Sequence, residues 1–391
     1  MDYRTWPTYR LREVGTIVTG STPSTKDPEN YSFEDYCFIK PSDISSSGIT
    51  EIKDSEFHIS RKAFSQSRRL PAGSVLTTCI GIIGKVGILQ KEATCNQQIN
   101  ALIPNRGFDS SFLAYAILSK KTELQELANA PVVPIINKKT FSELRLRIPE
   151  LPVQLSIAKE LNLLAEIIDK KNAQLRDLDA LAQSIYYEMF GDSSRPSLKW
   201  EKKLLEDMVT ASCSISYGIV QPGDGEQEGV PVVRPVDMIR IFTTNRNLKK
   251  TTKEISDAYK RTILRGNELL LCVRGTTGIV SMADENLAGC NVSRGITPLE
   301  FSNEISRWFM YYQFKTDSVQ HTISRLTHGI ALKGINMSDV RKLEMVCPPF
   351  DEQLKFEKAV KSIHEERLKI EASLRDSLEL YNSRMAYYFS Y

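Results

Sequence analysis

The sequence lacks any apolar run long enough to cross a bilayer. A membrane-spanning helix needs about 18 to 20 consecutive apolar residues, and no stretch of the 391 residues comes near that length. The opening residues, Met1 to Trp6, also lack the apolar segment of a secretory signal. We therefore expect a cytoplasmic protein with no membrane partner.

Disulfide and metal chemistry are poorly represented as well. The seven cysteines are odd in number and form no Cys-x-x-Cys pair, which argues against a disulfide scaffold and favours a reducing compartment. The four histidines stand in no spacing typical of a zinc site. Cys79 and Cys95 correspond to Cys272 and Cys290, but two ligands per copy do not complete a tetrahedral site, so we interpret them as core residues. We expect no metal and no cofactor in this chain.

Catalytic motifs are missing too. The segment Gly81-Ile-Ile-Gly84-Lys85 has the wrong spacing for a phosphate-binding loop, and no dinucleotide-binding glycine pattern is present. An amino-group methyltransferase needs an Asn or Asp before Pro-Pro-aromatic, whereas Cys347-Pro-Pro-Phe350 places a thiol there. No Ser, His and Asp set lies within a nucleophile elbow. We therefore expect no catalytic residues, and a recognition or scaffold protein rather than an enzyme.

The chain does contain an internal duplication. Matching residues recur in the same order, separated by 194 residues at the first pair and by 199 at the last. A duplication explains this near-constant offset, and chance does not. The pairs are Trp6 and Trp200, Lys40 and Arg234, Gly81 and Gly275, Cys95 and Cys290, Asn137 and Asn336, and Gln154 and Gln353.

Each copy consists of a mixed region followed by a helical stretch, which predicts an α+β fold. Short apolar runs such as Cys79–Ile83 and Leu269–Val273 predict buried strands, and residues 111–118 and 305–312 predict helices. The sequence thus predicts two α/β domains at 1–150 and 191–349, alternating with two long helices at 151–190 and 350–391.

The helical stretches carry an apolar seam whose spacing alternates between four and three residues. Such a seam is typical of a coiled coil, and about 35 helical residues extend roughly 50 Å. Lys171 interrupts the seam in the first copy, and Arg367 and Ser377 interrupt it in the second. An amphipathic helix packed on its own domain is the alternative, but the length and period favour antiparallel pairing of the two helices. The predicted pairing residues are Ile157, Leu161, Leu164, Ile168, Leu175, Leu178, Ile185, Phe356, Val360, Ile363, Ile370, Leu374 and Tyr381.

These features together resemble one protein family. Two α/β regions alternate with two long helices, a Gly-x-x-Gly loop recurs, and a proline precedes each helix, as in Pro149 to Ile157. Over essentially the whole chain this pattern resembles the specificity subunit of type I restriction–modification enzymes. The resemblance implies that each α/β domain is a target recognition domain for one half of a bipartite sequence in double-stranded DNA.

The resemblance also implies partners. Two modification (methyltransferase) subunits would dock on the domains and the helices, which act as a spacer, and restriction (endonuclease/translocase) subunits would complete the complex. S-adenosylmethionine would bind the modification subunits, and ATP and Mg would bind the restriction subunits. The specificity subunit itself would have no active site and would bind none of these cofactors.

Candidate DNA contacts are polar and basic residues near the repeated motifs. Glutamine can bond adenine bidentately in the major groove, arginine does the same for guanine, and basic side chains contact phosphates. The same residue types also occur on ordinary solvated surfaces, and the net charge of only +3 does not by itself indicate a nucleic-acid partner. The candidates are Ser21, Thr22, Lys26, Lys40, Arg68, Arg69, Lys85, Gln97, Gln98, Ser216, Tyr217, Arg234, Arg274, Thr276, Thr277 and Arg294.

Two alternatives stay open at this point. The chain could serve a fused methylase–nuclease as its specificity subunit, which the sequence does not separate from the first interpretation. It could instead be a coiled-coil protein scaffold that does not bind DNA. A self-sufficient methyltransferase is disfavoured because the catalytic tetrapeptide is missing.

Overall fold

The chain forms two compact units in the computed structural model, which describes residues 5–32, 35–128, 133–191, 200–223, 228–329 and 333–389. The first unit comprises residues 1–173 with 371–391, and the second comprises residues 174–370. Residues 1–4, which belong to the opening segment considered in the sequence analysis, lie outside the described part. Among the described residues, none of the helices combines the length and apolar character needed to span a membrane.

The described residues of the first unit form ten strands and five short helices, followed by a long helix. Polar side chains start several of these helices: the carboxylate of Asp109 accepts the Phe112 N–H at 2.8 Å, and Asn137 accepts the Thr140 N–H at 2.9 Å. The strands are β1 (Thr8–Arg10), β2 (Gly15–Thr19), β3 (Tyr36–Ile39), β4 (Ile49–Ile52), β5 (His58–Ile59), β6 (Val75–Thr78), β7 (Val86–Leu89), β8 (Thr94–Cys95), β9 (Ile99–Pro104) and β10 (Arg145–Arg147). The helices are α1 (Leu11–Val14), α2 (Arg61–Gln66), α3 (Ser110–Ser119), α4 (Lys121–Leu127), α5 (Lys138–Ser142) and α6 (Leu151–Phe190), with 3-10 turns at Pro28–Tyr31 and Pro41–Asp43.

The strands of the first unit form a five-stranded sheet, a three-stranded sheet and a two-stranded ribbon. The sheet orders are β2-β9-β6-β7-β4, β5-β3-β8 and β1-β10. Strands β6 and β7 are buried throughout, including the two threonines that end β6. Phe112 and Tyr115 of α3 lie in the core of this unit beside Ile157 and Leu161 of α6.

The second unit repeats this plan with fewer regular strands. Its strands are β11 (Lys202–Leu204), β12 (Val230–Val233), β13 (Lys249–Thr251), β14 (Leu269–Cys272), β15 (Val280–Met282), β16 (Asn291–Val292), β17 (Ile296–Leu299) and β18 (Glu344–Val346). Its helices are α7 (Leu205–Met208), α8 (Lys253–Ala258), α9 (Arg307–Phe314), α10 (Asp317–Leu326), α11 (Met337–Arg341) and α12 (Phe350–Phe389), with 3-10 turns at Pro235–Asp237, Lys260–Thr262 and Glu285–Leu287.

Strand pairing confirms the α+β fold and the duplication. The sheet β13-β12-β16 repeats β5-β3-β8, β15-β14-β17 repeats β7-β6-β9, and β11-β18 repeats β1-β10. The positions of β2 and β4 are held in the second unit by isolated bridges, from Val209 to Phe301 and from Phe242 to Met282. The domain limits 1–150 and 191–349 stay predictions, because the two compact units divide the chain inside α6 and α12.

One predicted strand is wrong. Residues Cys79–Ile83 follow β6, which ends at Thr78, and they form the turn that leads into β7. Gly81 and Gly84 adopt φ values of +77° and +83°, a left-handed conformation that reverses the chain and that glycine tolerates best. The apolar side chains of this segment were therefore misread as a strand.

In the first unit the beginning of α6 packs against the end of α12. The guanidinium nitrogen Nη2 of Arg384 donates to Glu160 Oε2 at 3.1 Å. The Tyr388 hydroxyl donates to the same oxygen at 2.7 Å. Further along α6, the Lys171 ammonium lies 2.6 Å from Ser373 Oγ and 2.7 Å from Ser377 Oγ. Residue numbers rise on α6 as they fall on α12, so the pairing is antiparallel.

In the second unit the end of α6 packs against the beginning of α12. Arg367 bonds Asp179 at 2.6 Å, and Phe356 meets the ring of Tyr186 at a centroid distance of 5.6 Å. Here too the residue numbers run in opposite directions. The residues that interrupt the seam, Lys171, Arg367 and Ser377, all have polar partners on the opposite helix.

Burial along the seam varies with position. The predicted pairing residues Ile157, Leu161, Leu164, Phe356 and Val360 are buried, whereas the others are half-buried. The buried ones include residues that also belong to the core of their own unit. The helices therefore pack both on each other and on the globular parts. Antiparallel pairing and packing on a domain, the two interpretations of the apolar seam, both occur.

Candidate nucleic-acid interface

Three backbone segments meet at one edge of the first unit. They are the loop after β2, the end of β3 and the turn between β8 and β9. The Ser21 N–H donates to the Cys95 carbonyl at 2.9 Å, and the Asn96 N–H donates to the Ile39 carbonyl at 3.0 Å. These bonds place Thr22, Lys40 and Gln97 on neighbouring segments, so residues far apart in sequence share one surface.

Gly20 permits this close approach. A Cβ atom at this position would lie 2.1 Å from the Asn96 carbonyl oxygen and 2.3 Å from the Cys95 carbonyl oxygen. Both obstacles are backbone atoms, which cannot swing aside as a long side chain can. The glycine is therefore needed for contact between the loop and the turn.

Side chains at this edge are linked to one another. The Thr22 hydroxyl donates to the Gln97 side-chain oxygen, and the Asn96 amide donates to Gln98 Oε1 at 2.8 Å. Arg68 reaches the Thr19 carbonyl at 2.6 Å. Thr22, Gln97 and Arg68 are exposed, so their remaining hydrogen-bonding capacity faces solvent.

Lys40 and Lys85 differ in accessibility. Lys40 is half-buried, with its ammonium 3.0 Å from the centre of the exposed Phe57 ring, a cation–π contact that fixes the charge in place. Lys85 is only 8% exposed, and its ammonium donates to the Pro41 carbonyl at 2.9 Å. Lys85 therefore holds two loops together inside the unit and does not present its charge at the surface.

The other two candidates of this unit make contacts elsewhere. The backbone N–H of the exposed Lys26 donates to Ser24 Oγ at 3.3 Å. The Arg69 guanidinium lies 5.2 Å from the centre of the Phe64 ring on α2. The structure thus groups Ser21, Thr22 and Lys40 with the glutamine turn more closely than it groups Lys26 and Arg69 with it.

The second unit repeats this arrangement of three hydrogen-bonded segments, which forms a backbone frame in each unit. Its segments are the loop that contains Gly218, the end of β12 and the turn between β16 and β17. The Ile219 N–H donates to the Val292 carbonyl at 2.8 Å, and the Ser293 N–H donates to the Val233 carbonyl at 2.9 Å. A Cβ atom on Gly218 would lie 2.1 Å from the Val292 carbonyl oxygen. Gly218 and Gly20 therefore have the same role in their two units.

Different side chains project from that second frame. The Arg234 guanidinium forms two hydrogen bonds with Asp237, at 3.0 Å and 2.9 Å, whereas Arg294 on the turn is exposed. The Tyr217 hydroxyl donates to the Ile335 carbonyl at 3.1 Å, and Arg274 lies 5.1 Å from the centre of its ring. The Ser216 hydroxyl lies 3.3 Å from that of Ser214.

The glycines of the two Gly-x-x-Gly loops share a left-handed backbone conformation. Gly275 and Gly278 have φ values of +81° and +92°, as the corresponding glycines have in the first unit. The middle residues differ, because Thr276 and Thr277 replace two isoleucines. Thr276 is exposed, and Thr277 Oγ1 lies 3.0 Å from Thr327 Oγ1.

The strand register corrects two of the predicted sequence pairs. Cys95 and Val292 hold the same position in their sheets. Cys79 and Val273 make the same backbone hydrogen bonds. The predicted pairing of Cys79 and Cys95 with Cys272 and Cys290 is therefore wrong.

The two frames also assign corresponding positions that sequence matching missed. The shared bond pattern makes Asn96 equivalent to Ser293, so Gln97 corresponds to Arg294. The offset there is 197 residues, between the 194 of the first motif pairs and the 199 of the last. One frame thus presents a glutamine where the other presents an arginine, and these side chains suit adenine and guanine respectively.

We expect Gly20→Ala to lower the free energy of unfolding of the first unit by about 1–3 kcal/mol, because the added methyl group collides with backbone. Thr22→Ala, an exposed change two residues away, should cost no more than about 0.5 kcal/mol. Urea denaturation of both variants measures the difference. Equal stability of the two variants would contradict the close approach at Gly20.

Comparison with known proteins identifies related chains. The family described as "Type I restriction modification DNA specificity domain" matches residues 3–177 and again residues 198–380. The type I restriction enzyme EcoBI specificity subunit of Escherichia coli is 20% identical over 316 residues, covering 74% of this chain and 66% of that protein. The MjaIX specificity subunit of Methanocaldococcus jannaschii is 29% identical over 191 residues, covering 48% of this chain and 44% of that protein. The chain therefore spans less than two thirds of the length of these curated relatives.

A solved structure shares the fold. The S subunit of a type I restriction–modification system from M. genitalium superimposes with a TM-score of 0.59 at 13% sequence identity. The superposition covers 98% of this chain and 96% of that one. The likeness extends over both units and both long helices.

Proposed function

Because the chain belongs to the type I restriction–modification DNA specificity family, we propose that it is the subunit that determines the DNA sequence recognised by such a complex. Each unit would read one half of a bipartite target in double-stranded DNA. The observation that carries this proposal is the repeated frame with different side chains. Lys40 and Arg234 occupy one corresponding position, and Gln97 and Arg294 occupy another.

The geometry of these positions fits base reading. Gln97 and Arg294 lie on exposed turns held by backbone hydrogen bonds, so a side chain can extend toward a base edge from a fixed origin. Phosphate contacts orient a protein on DNA, whereas base contacts specify the sequence. Lys40, Arg68 and Arg69 are the basic groups proposed to contact phosphate in the first unit.

The long helices are the proposed spacer and docking surface. Each contains 40 residues, about 60 Å of α-helix, and so has the length to set the spacing of two half-sites. Leu155 and its counterpart Leu354 are 50% and 42% exposed. Two similar apolar sites, one in each copy, suit two similar modification subunits.

Catalysis in this proposal belongs to the partners. The modification subunits would bind S-adenosylmethionine and transfer the methyl group, and the restriction subunits would use ATP and Mg. This chain would supply sequence recognition and geometry, and its site of action would be the cytoplasm.

The direct test is sequencing of methylated bases in DNA from a host that expresses the partner methyltransferase with and without this chain. We expect a bipartite methylated motif that appears only when the chain is present. If a methyltransferase shown to be active leaves the same pattern in both hosts, the proposal is wrong and a protein scaffold becomes the better interpretation.

Docking gives a separate prediction. Leu155→Glu and Leu354→Glu should each remove one of the two proposed modification subunits, because an exposed leucine in an interface centre is replaced by a charge. Native mass spectrometry of the reconstituted complex measures the stoichiometry. Leu127→Glu, at a leucine of similar exposure (44%) on α4, is the matched control and should leave the stoichiometry unchanged. Full assembly by both helix variants would exclude these leucines from the interface.

A further inference from the structure

A thiol, an imidazole and a carboxylate converge in the first unit, away from any sequence motif. Cys37 on β3 and His58 on β5 are directly paired across antiparallel strands, so their side chains share one face. Asp54 lies in the loop just before β5. Asp54 Oδ1 lies 3.1 Å from Cys37 Sγ and 3.1 Å from His58 Nε2, and the sulfur lies 3.7 Å from that nitrogen.

These separations match those of ligands around one small metal ion. Tetrahedral zinc has Zn–S bonds of about 2.3 Å and Zn–N or Zn–O bonds of about 2.0–2.1 Å, which places neighbouring ligand atoms roughly 3.3–3.6 Å apart. The observed distances of 3.1 to 3.7 Å bracket that range. Side-chain shifts of a few tenths of an ångström would therefore bring the three atoms onto a single ion.

We propose that Cys37, Asp54 and His58 form a zinc site. The mixture of one soft thiolate with imidazole and carboxylate ligands favours Zn²⁺ over Mg²⁺ or Ca²⁺, which prefer oxygen ligands. Cys37 is 3% exposed, whereas the side chains of His58 and Asp54 are 19% and 68% exposed. The site thus opens toward solvent on the carboxylate side, where a water molecule completes the coordination.

The loop that carries Asp54 is held in place by its own hydrogen bonds. The Phe38 N–H donates to Ser55 Oγ at 3.2 Å, and the Ser55 hydroxyl donates to the Phe57 carbonyl at 2.7 Å. The Glu56 N–H donates to Asp43 Oδ1 at 2.9 Å. Such outer contacts orient metal ligands before the metal binds.

Lys91 is the competitor for this site. Its ammonium lies 3.1 Å from Asp54 Oδ1, the same oxygen that faces the thiol and the imidazole. Hydrogen bonds from Cys37, Lys91 and His58, in that order, hold the pKa of Asp54 well below its usual range. The Lys91 side chain is 53% exposed, so it can move into solvent when the metal binds.

The second unit has different residues at the positions that correspond to Cys37 and His58. In the corresponding strands β12 and β13, Pro231 and Lys250 hold the cross-strand position of Cys37 and His58. Neither residue can replace a thiolate or an imidazole there, so the proposal predicts one zinc per chain. Zinc would tie β3, β5 and the preceding loop together beside Phe57, the residue whose ring supports Lys40.

The test is titration of the purified, reduced full-length chain with Co²⁺, which substitutes for zinc and reports its ligands by absorption. We expect one equivalent to bind, with a thiolate-to-cobalt charge-transfer band in the near ultraviolet and the visible bands of a four-coordinate ion. Cys37→Ala should abolish the charge-transfer band. Asp54→Asn should keep the fold, because its side chain is exposed, and should weaken binding by roughly 100-fold.

Two further variants sharpen the result. Cys347→Ala removes a half-buried thiol of the second unit and should leave the spectrum unchanged. Lys91→Gln removes the competing cation and should tighten binding several-fold. Absence of a thiolate band in the parent chain, or the same band in Cys37→Ala, would overturn the proposal, as would equal affinity of the parent chain and Asp54→Asn. In those cases the three side chains form a hydrogen-bonded cluster without a metal.

Discussion

Replacing residues 1–150 with the corresponding region of a related specificity subunit is expected to change one half of the methylated motif completely and to leave the other half unaltered. The expectation rests on two recognition frames with separate sets of side chains, each built around its own glycine, Gly20 or Gly218. Replacement of residues 191–349 should produce the reciprocal change. Sequencing of methylated bases in hosts that carry each hybrid measures both halves at once.

Point variants serve as controls for the hybrids. Gln97→Ala should relax the sequence at one position of the first half-site, because each good bidentate base contact discriminates by about 1–3 kcal/mol. Arg294→Ala should do the same in the second half-site only. A hybrid that altered both halves, or neither, would contradict independent reading by the two units.

Phe356→Ala is expected to lower the free energy of unfolding of the second unit by about 3–5 kcal/mol. The ring is fully buried and lies at centroid distances of 5.6 Å from both Tyr186 and Phe190 and 5.5 Å from Tyr312. It therefore joins α12 to the end of α6 and to α9 in one aromatic cluster. Removing it leaves a cavity that the neighbouring rings fill only in part.

The matched control for this change is Leu368→Ala. Leu368 lies on the same helix and in the same unit but is 50% exposed, so its truncation should cost less than about 1 kcal/mol. Denaturation followed by near-ultraviolet circular dichroism reports the aromatic cluster directly. A similar loss of stability in both variants would show that Phe356 contributes no more to the free energy of unfolding than the exposed Leu368 does.

The duplication and the helices could be predicted from the sequence because both are periodic signals. A constant offset and a repeated spacing of four and three residues survive divergence of individual side chains. The polar seam residue Lys171 looked like an interruption, since its partner Ser377 lies more than 200 residues away. Only the structure shows that such positions are paired.

Features that depend on local backbone or distant contacts escaped prediction. Cys79–Ile83 read as a strand because its apolar content concealed a turn at Gly81 and the adjoining Gly84, both of which have positive φ. Gln97 and Arg294 were not recognised as equivalent, because small insertions shift the offset between motifs. Cys37 and Asp54 are 17 residues apart, a separation without a motif, and only the strand register and loop path bring them together.

The polar contacts between the long helices also record how far the two copies have diverged. Arg384, which bonds Glu160, lies 199 residues after Ile185, and Ser377, which bonds Lys171, lies 199 residues after Leu178. Two first copies paired with each other would set Glu160 against an isoleucine and Lys171 against a leucine. In the present chain each helix is therefore matched to the other by its polar contacts, and the two copies are not interchangeable at these positions.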